Sequence, residues 1–337
     1  MRHASRPSRH HGGFTLVELM IGMTLGLVLI GGVVGLFLQS SQSFRVDENV
    51  ARMQDQARFA MDQLSRDLRM AGFVAEPLSA AAVTLDASLA IAEGCGPAGA
   101  DWLVRVIDAG TGENNTLTGV DNATGAEAAA AYSCIDAAEV RAGSDIVAIK
   151  RAAGRVVPVA ELVANRIYLE STDMVALLFK EPATTPLFGP TDFREYRPHI
   201  YYIRNFGLVE GDGIPTLCRK TLGTGSPTPI ETDCIAQGIE DLQISYGIDL
   251  DDDGAANQYL DDPTLTEIQS VVSVRIMLLA RTLTADRKYT DTRTYQVGNA
   301  PEYGPDDYGP DDAAFHRRIY TVTVSVRNLR NFQRMKT

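Results

Sequence analysis

The residues Phe14–Leu38 form an apolar run of 25 residues interrupted by one charge, Glu18. No other feature of the chain limits the fold as tightly. As a helix the run is about 37 Å long, enough to cross a bilayer core of about 30 Å. The 13 residues before it hold Arg2, Arg6 and Arg9 and no acid. Basic residues on that side orient the N-terminus to the cytoplasm and everything after Leu38 to the far side. A secretory signal has an apolar region of about 7–15 residues and then a small-residue cleavage site. This run is longer, and no Ala-x-Ala follows it. The plain reading is a retained membrane helix.

Glu18 conflicts with that plainness. A carboxylate within an apolar span costs several kcal/mol, roughly 3 by insertion scales, and marks a function by default. The bland alternative is that Glu18 stands near enough to the helix end to reach the headgroups. Spacing favours a sharper role. A cut between Gly13 and Phe14 would leave a cationic amine one helical turn before the Glu18 carboxylate. That amine pairs with Glu18 of the same helix or of a neighbouring one.

The string Gly12-Gly13-Phe14-Thr15-Leu16-Val17-Glu18 resembles the class III signal of type IV pilins and of type II secretion pseudopilins. The resemblance implies that prepilin peptidase removes residues 1–13 after Gly13. Phe14 becomes a methylated N-terminus, and Glu18 docks the subunit into a filament. The motif covers about 30 residues. Without the leader the chain has 324 residues, its net charge moves from −12 to −15, and His199 and His316 are its remaining histidines.

From Ser40 to Met70 the chain is polar with one apolar stripe, Val50, Met53, Ala57, Ala60, Leu64 and Leu68. Steps of three and four predict a one-sided helix. Gly72 and Pro77 stop it. The predicted helix runs from Phe14 to about Ala71, with a membrane or filament-core half at 14–39 and an amphipathic half at 40–71. Gly22-x-x-x-Gly26 and Gly31-x-x-x-Gly35 either permit close helix contact or reflect glycine tolerance in membrane helices.

Residues 72–337 are predicted to be one β-rich head outside the cytoplasm. Apolar residues are 45% and charged residues 22% of the chain, which excludes wholesale disorder. Strand-like runs occur at 144–151, 200–204, 241–247, 272–279 and 320–326, most with period-two alternation and Gly, Pro or Asp between them. They predict a largely antiparallel sheet packed on the helical stripe, an α+β architecture. The stretch 78–143, rich in Ala, Gly and Asn, reads as an irregular insertion. Gly238–Gly247, Asp249–Gly254, Val274–Thr282 and Arg317–Val324, in that order, resemble the C-terminal half of PilW-type minor pilins. That resemblance implies a structural subunit of a type IV pilus, in a priming or tip complex with other minor and major pilins. A PilY-type tip adhesin is a further implied partner. The class III signal leaves the minor pseudopilin of a type II secretion system as an alternative.

The four cysteines, Cys95, Cys134, Cys218 and Cys234, lack CxxC spacing and histidine neighbours, so they do not read as a zinc site. Outside the cytoplasm they can form disulfides. Three pairings are possible; Cys95–Cys134 and Cys218–Cys234 close local loops and are favoured over the others and over free thiols. Asp249, Asp251 and Asp253 with Gly254 match positions 1, 3, 5 and 6 of a calcium loop, with Asn257 at position 9. Position 12 is Leu260 instead of glutamate, and a solvated Asp-rich turn is the other reading. No other cofactor is implied. Tyr303–Asp307 repeats as Tyr308–Asp312, read as an extended polar loop. With two histidines left and no Gly-x-Ser-x-Gly, HExxH or phosphate loop, an enzyme is disfavoured. Nucleic acid is not expected as a partner of so acidic a chain, although Lys150, Arg151 and Arg155 would make a local basic strip.

Overall fold

The computed structural model describes residues 13, 15–74, 83–87, 89–97, 101–106, 113–172, 175–181, 192–307, 309 and 312–331. The chain divides into two units, Met1–Asn49 and Val50–Thr337. One helix, α1 (Leu16–Arg69), supplies the described helix of the first unit and opens the second. Thr15 starts it: the Glu18 N–H donates to Thr15 Oγ1 at 3.2 Å, and the Leu19 N–H to the Thr15 carbonyl at 3.1 Å. A threonine oxygen thus satisfies a donor that a first helical turn leaves without a partner.

In the second unit α1 buries the predicted stripe. Met53, Ala57, Ala60, Leu64 and Leu68 are buried, while Val50 is half-buried against the same cluster. Leu64 and Leu68 each contribute about 1.5–3 kcal/mol by leaving water. The helix stops at Gly72, whose φ of +75° suits only a residue without Cβ, and the Gly72 N–H donates to the Lys150 carbonyl.

Among the described residues twelve strands follow: β1 (Val83–Leu85), β2 (Leu117–Ala123), β3 (Ser144–Ala152), β4 (Ile167–Ser171), β5 (Ala176–Lys180), β6 (Asp192–Arg204), β7 (Thr216–Leu222), β8 (Ile230–Gln237), β9 (Ile239–Ile248), β10 (Gln258–Leu260), β11 (Val271–Arg281) and β12 (Arg317–Ser325). Among the described residues, the short helices α2 (Gly125–Ala131) and α3 (Leu265–Ile268) interrupt them and α4 (Asn328–Asn331) follows the last. The strands make two sheets where the sequence predicts one. The first has eight strands, with β1-β5-β4-β6-β3-β2 in order and β7 joining β6 to β8. The second is β10-β9-β11-β12. All pairings are antiparallel except β1 with β5. Gly238 is the switch between the sheets. It sits between β8 and β9 at φ +77°, and a Cβ there would stand 2.6 Å from the Arg281 carbonyl oxygen.

Both sheets face the α1 stripe. Val147, Ile149, Tyr201 and Ile203 from the first and Ile244, Val274, Ile276 and Leu278 from the second join Leu64 and Leu68 in one core. The other face of β3 and β6 is covered too: Ile146, Ala148, Ile200 and Tyr202 pack with Cys95, Trp102, Tyr132 and Ile135. Of the 78–143 stretch, β1 and β2 join the first sheet, and the described residues around Cys95, Trp102 and Tyr132 form a lid over it. Two covered faces explain why β3 reads as a continuous run without alternation. Lys150, fully buried in β3, holds the lid down. Its Nζ donates to the Arg105 carbonyl at 2.5 Å and to Asn115 Oδ1 at 2.7 Å, and lies 3.7 Å from the Trp102 ring centroid.

Candidate assembly site

The prepilin-like motif sits at the start of α1. Gly13 precedes the helix and is exposed, and Phe14 lies outside the described residues. Glu18 is exposed in the first turn, with its backbone bonded to Thr15. Thr15-x-x-Glu18 has the spacing of a helix capping box, a signal the sequence reading passed over. From Leu16 to Leu38 every large apolar side chain is exposed, Leu16 at 74% and Leu36 at 70%. Nothing stands within 4 Å of where a Cβ would sit on Gly22, Gly26, Gly31 or Gly35. In water a helix with apolar residues on every side is unstable on its own; it needs lipid or other helices around it. A carboxylate near its N-terminal end complements the helix dipole.

In the second unit the centre of polar chemistry is Asp67, the one acid on the buried face of α1. Arg151 Nε and Nη2 donate to its Oδ1 at 2.9 and 2.5 Å. His199 Nδ1 is 2.5 Å from its Oδ2, and the Tyr201 hydroxyl donates to the same oxygen. Burial alone would raise the Asp67 carboxyl. The bonds from His199 and Tyr201 and the charges around it outweigh that effect and hold it well below the usual carboxylate range. Burial lowers His199 below its ordinary value against the pull of Asp67. This hub fixes α1 to β3 and β6. His316 stacks on Tyr289 at 3.8 Å, with Nε2 3.4 Å from Asp286.

The proposed basic strip does not form a surface. Lys150 and Arg151 are buried as described, and Arg155 pairs with Glu161 at 2.5 Å. Cys95 is bonded to Cys134 and Cys218 to Cys234. The first bond ties the lid together, and the second cross-links β7 and β8, where the two residues are register partners.

Asp249, Asp251 and Asp253 bring one carboxylate oxygen each within 4.8 Å of the others. They are the donors a divalent cation would use. Asn257 is committed elsewhere: its Oδ1 accepts the Leu250 N–H at 2.6 Å, and its Nδ2 donates to Asp251 at 3.3 Å. The turn is also closed by the Gly254 N–H on Asp249 Oδ2 at 2.8 Å. Asp261 accepts the Ser245 hydroxyl at 2.6 Å.

The two YGPDD copies are structured where they are described. In each, the last Asp N–H donates to the Gly carbonyl, Asp307 to Gly304 at 2.9 Å and Asp312 to Gly309 at 3.0 Å. Asp312 also lies 3.6 Å from Arg281 and 3.7 Å from Arg317.

Comparisons with known proteins match two parts of the chain. The profile of the type IV pilus-assembly protein W family, PilW, matches residues 200–328. The prokaryotic N-terminal methylation motif matches residues 8–34. No curated protein matches the chain significantly. Among solved structures, a type IV-like pilin from Thermus thermophilus aligns at 11% identity with a TM-score of 0.31, over 82% of this chain and 98% of that one. The two profile matches fall on the signal and on the later strands. The chain thus carries a prepilin-type methylation motif at its N-terminus and is similar to the type IV pilus-assembly protein W family over its later strands.

Proposed function

We propose that this chain is a minor pilin that takes part in priming or capping a type IV pilus. The carrying observation is the exposed apolar first part of α1, Leu16–Leu38, which begins directly behind the Gly13-Phe14 junction and has Glu18 as its one charge. Prepilin peptidase removes residues 1–13. The helix is stored in the inner membrane with the head in the periplasm, and is then drawn into a bundle with other pilins. In that bundle Glu18 meets an N-terminal amine in a low-dielectric setting, where an ion pair is worth far more than in water. The disulfides and the basic leader support the periplasmic side for the head. The head supplies contacts to neighbouring pilins and to a tip adhesin. The PilW match favours a pilus over a secretion machine, and the family matches favour a structural subunit over an enzyme. The test is Glu18→Ala expressed in the native host. The expected result is a processed, membrane-stored protein that is absent from sheared pili. Undiminished incorporation of the variant into pili would overturn the proposal.

A further inference from the structure

A cavity of about 230 Å³ opens beside the first residues of β3 and β9. Its outer wall is the segment after β11. Tyr295 and Tyr303 exchange both backbone bonds, at 2.8 and 3.0 Å, which closes that segment as a short hairpin. The first YGPDD copy turns at the base of this hairpin, just past Tyr303, with the Gly304 N–H donating to Asp307 Oδ2 at 2.9 Å. The floor is apolar: Leu279, Tyr295 and Val297 are buried and line it. Carboxylates dominate the polar lining. Asp241 is aimed by the Ser144 hydroxyl at 2.9 Å and by Gln243 Nε2 at 3.1 Å. Glu302 and Asp307 are exposed on the hairpin side. Glu240 is already neutralised by Arg317 at 2.6 Å and Arg281 at 3.4 Å. Arg141 is the one basic residue in the lining.

An apolar floor under an anionic mouth fits an aliphatic stem that ends in a positive charge. We propose that this cavity receives a lysine or arginine side chain of a protein partner, its stem along Leu279 and Val297 and its head at Asp241, Glu302 and Asp307. A free polyamine fits less well, because its further ammonium groups would meet Arg141.

The probe is Nα-acetyl-arginine amide, titrated into the full chain in detergent micelles with Leu, Val and Ala methyl groups labelled for NMR. Saturable shifts are expected at Leu279, Val297 and Ala300, with a Kd in the millimolar range, about 1–10 mM for so small a ligand. The double variant Glu302→Gln/Asp307→Asn keeps an acceptor for the Gly304 N–H and should weaken binding about tenfold. Arg141→Gln should tighten it. Four results would overturn the proposal: no saturable shift, unchanged affinity in the double variant, weaker binding in Arg141→Gln, or spermidine binding more tightly than the arginine probe.

Discussion

Replacing Asp67 by alanine tests how the α1 helix is held to the sheets. The change removes the acceptor of two Arg151 bonds, of the His199 contact and of the Tyr201 hydroxyl bond. Arg151 would keep a bond to the Ala152 carbonyl at 3.4 Å, with its side chain 11% exposed. Breaking a buried ion pair by removing one partner costs about 3–5 kcal/mol. The orphaned His199 and Tyr201 add to this, though not in full, because the bonds share one carboxylate. We take about 4 kcal/mol for the whole. For a head of this size 1 kcal/mol moves Tm by roughly 2–3 °C, so Asp67→Ala should unfold about 10 °C below the parent. Calorimetry of the full chain in detergent measures this directly. Adding Arg151→Met should restore part of the loss, since the stranded charge goes with it. An Asp67→Ala chain that melts within 2 °C of the parent, on the same scale of roughly 1 kcal/mol, would refute the reasoning.

Other outcomes follow from the same structure. Cys218 and Cys234 are 16 residues apart, so replacing both by serine should cost about 3 kcal/mol by loop entropy, read as a lower urea midpoint. Asp145 is raised to about 8, first by burial, against the N–H bonds from Asn122 and Ile244. Its unfolded form is already ionised near neutrality, so the folded state holds the extra proton and stability falls as pH rises towards that value. Between pH 7 and 8 the loss should approach about 1 kcal/mol, and Asp145→Asn should flatten the slope of urea midpoint against pH. If the Asp249 loop binds calcium at about 0.5 mM, typical of extracellular sites, about 5 mM calcium should add about 1.4 kcal/mol and raise Tm by about 3 °C. Asp251→Asn/Asp253→Asn should abolish that rise, and a Tm indifferent to calcium in the parent would remove the ion from the account.

The parts of this fold that sequence reveals are those set by local periodicity. The stripe from Met53 to Leu68 repeats every three or four residues and is buried as it reads. The alternation of β11 and β12 is visible because these strands bury one face more than the other over much of their length, whereas β9 alternates in sequence although nearly all of it is buried. β3 hid its pattern because the lid around Trp102 covers its second face. The split into two sheets turns on one left-handed glycine, Gly238, which a sequence does not distinguish from other turn glycines. The Asp67 hub joins residues 84, 132 and 134 positions apart, beyond any local pattern. One clue to it existed: Asp67 lies three residues after Leu64, on the apolar face, where a charge needs a buried partner. The assembly motif was legible for the opposite reason, since Gly13, Phe14 and Glu18 lie within six residues of each other.

The central claim is that Phe14 becomes the N-terminus of a subunit built for a filament. Mass spectrometry of the N-terminal peptide, from protein taken out of native membranes, tests it most directly. The account predicts a peptide that begins at Phe14 and carries one methyl group on its amine. A peptide that begins at Met1 would contradict it and would reduce the apolar helix to a membrane anchor.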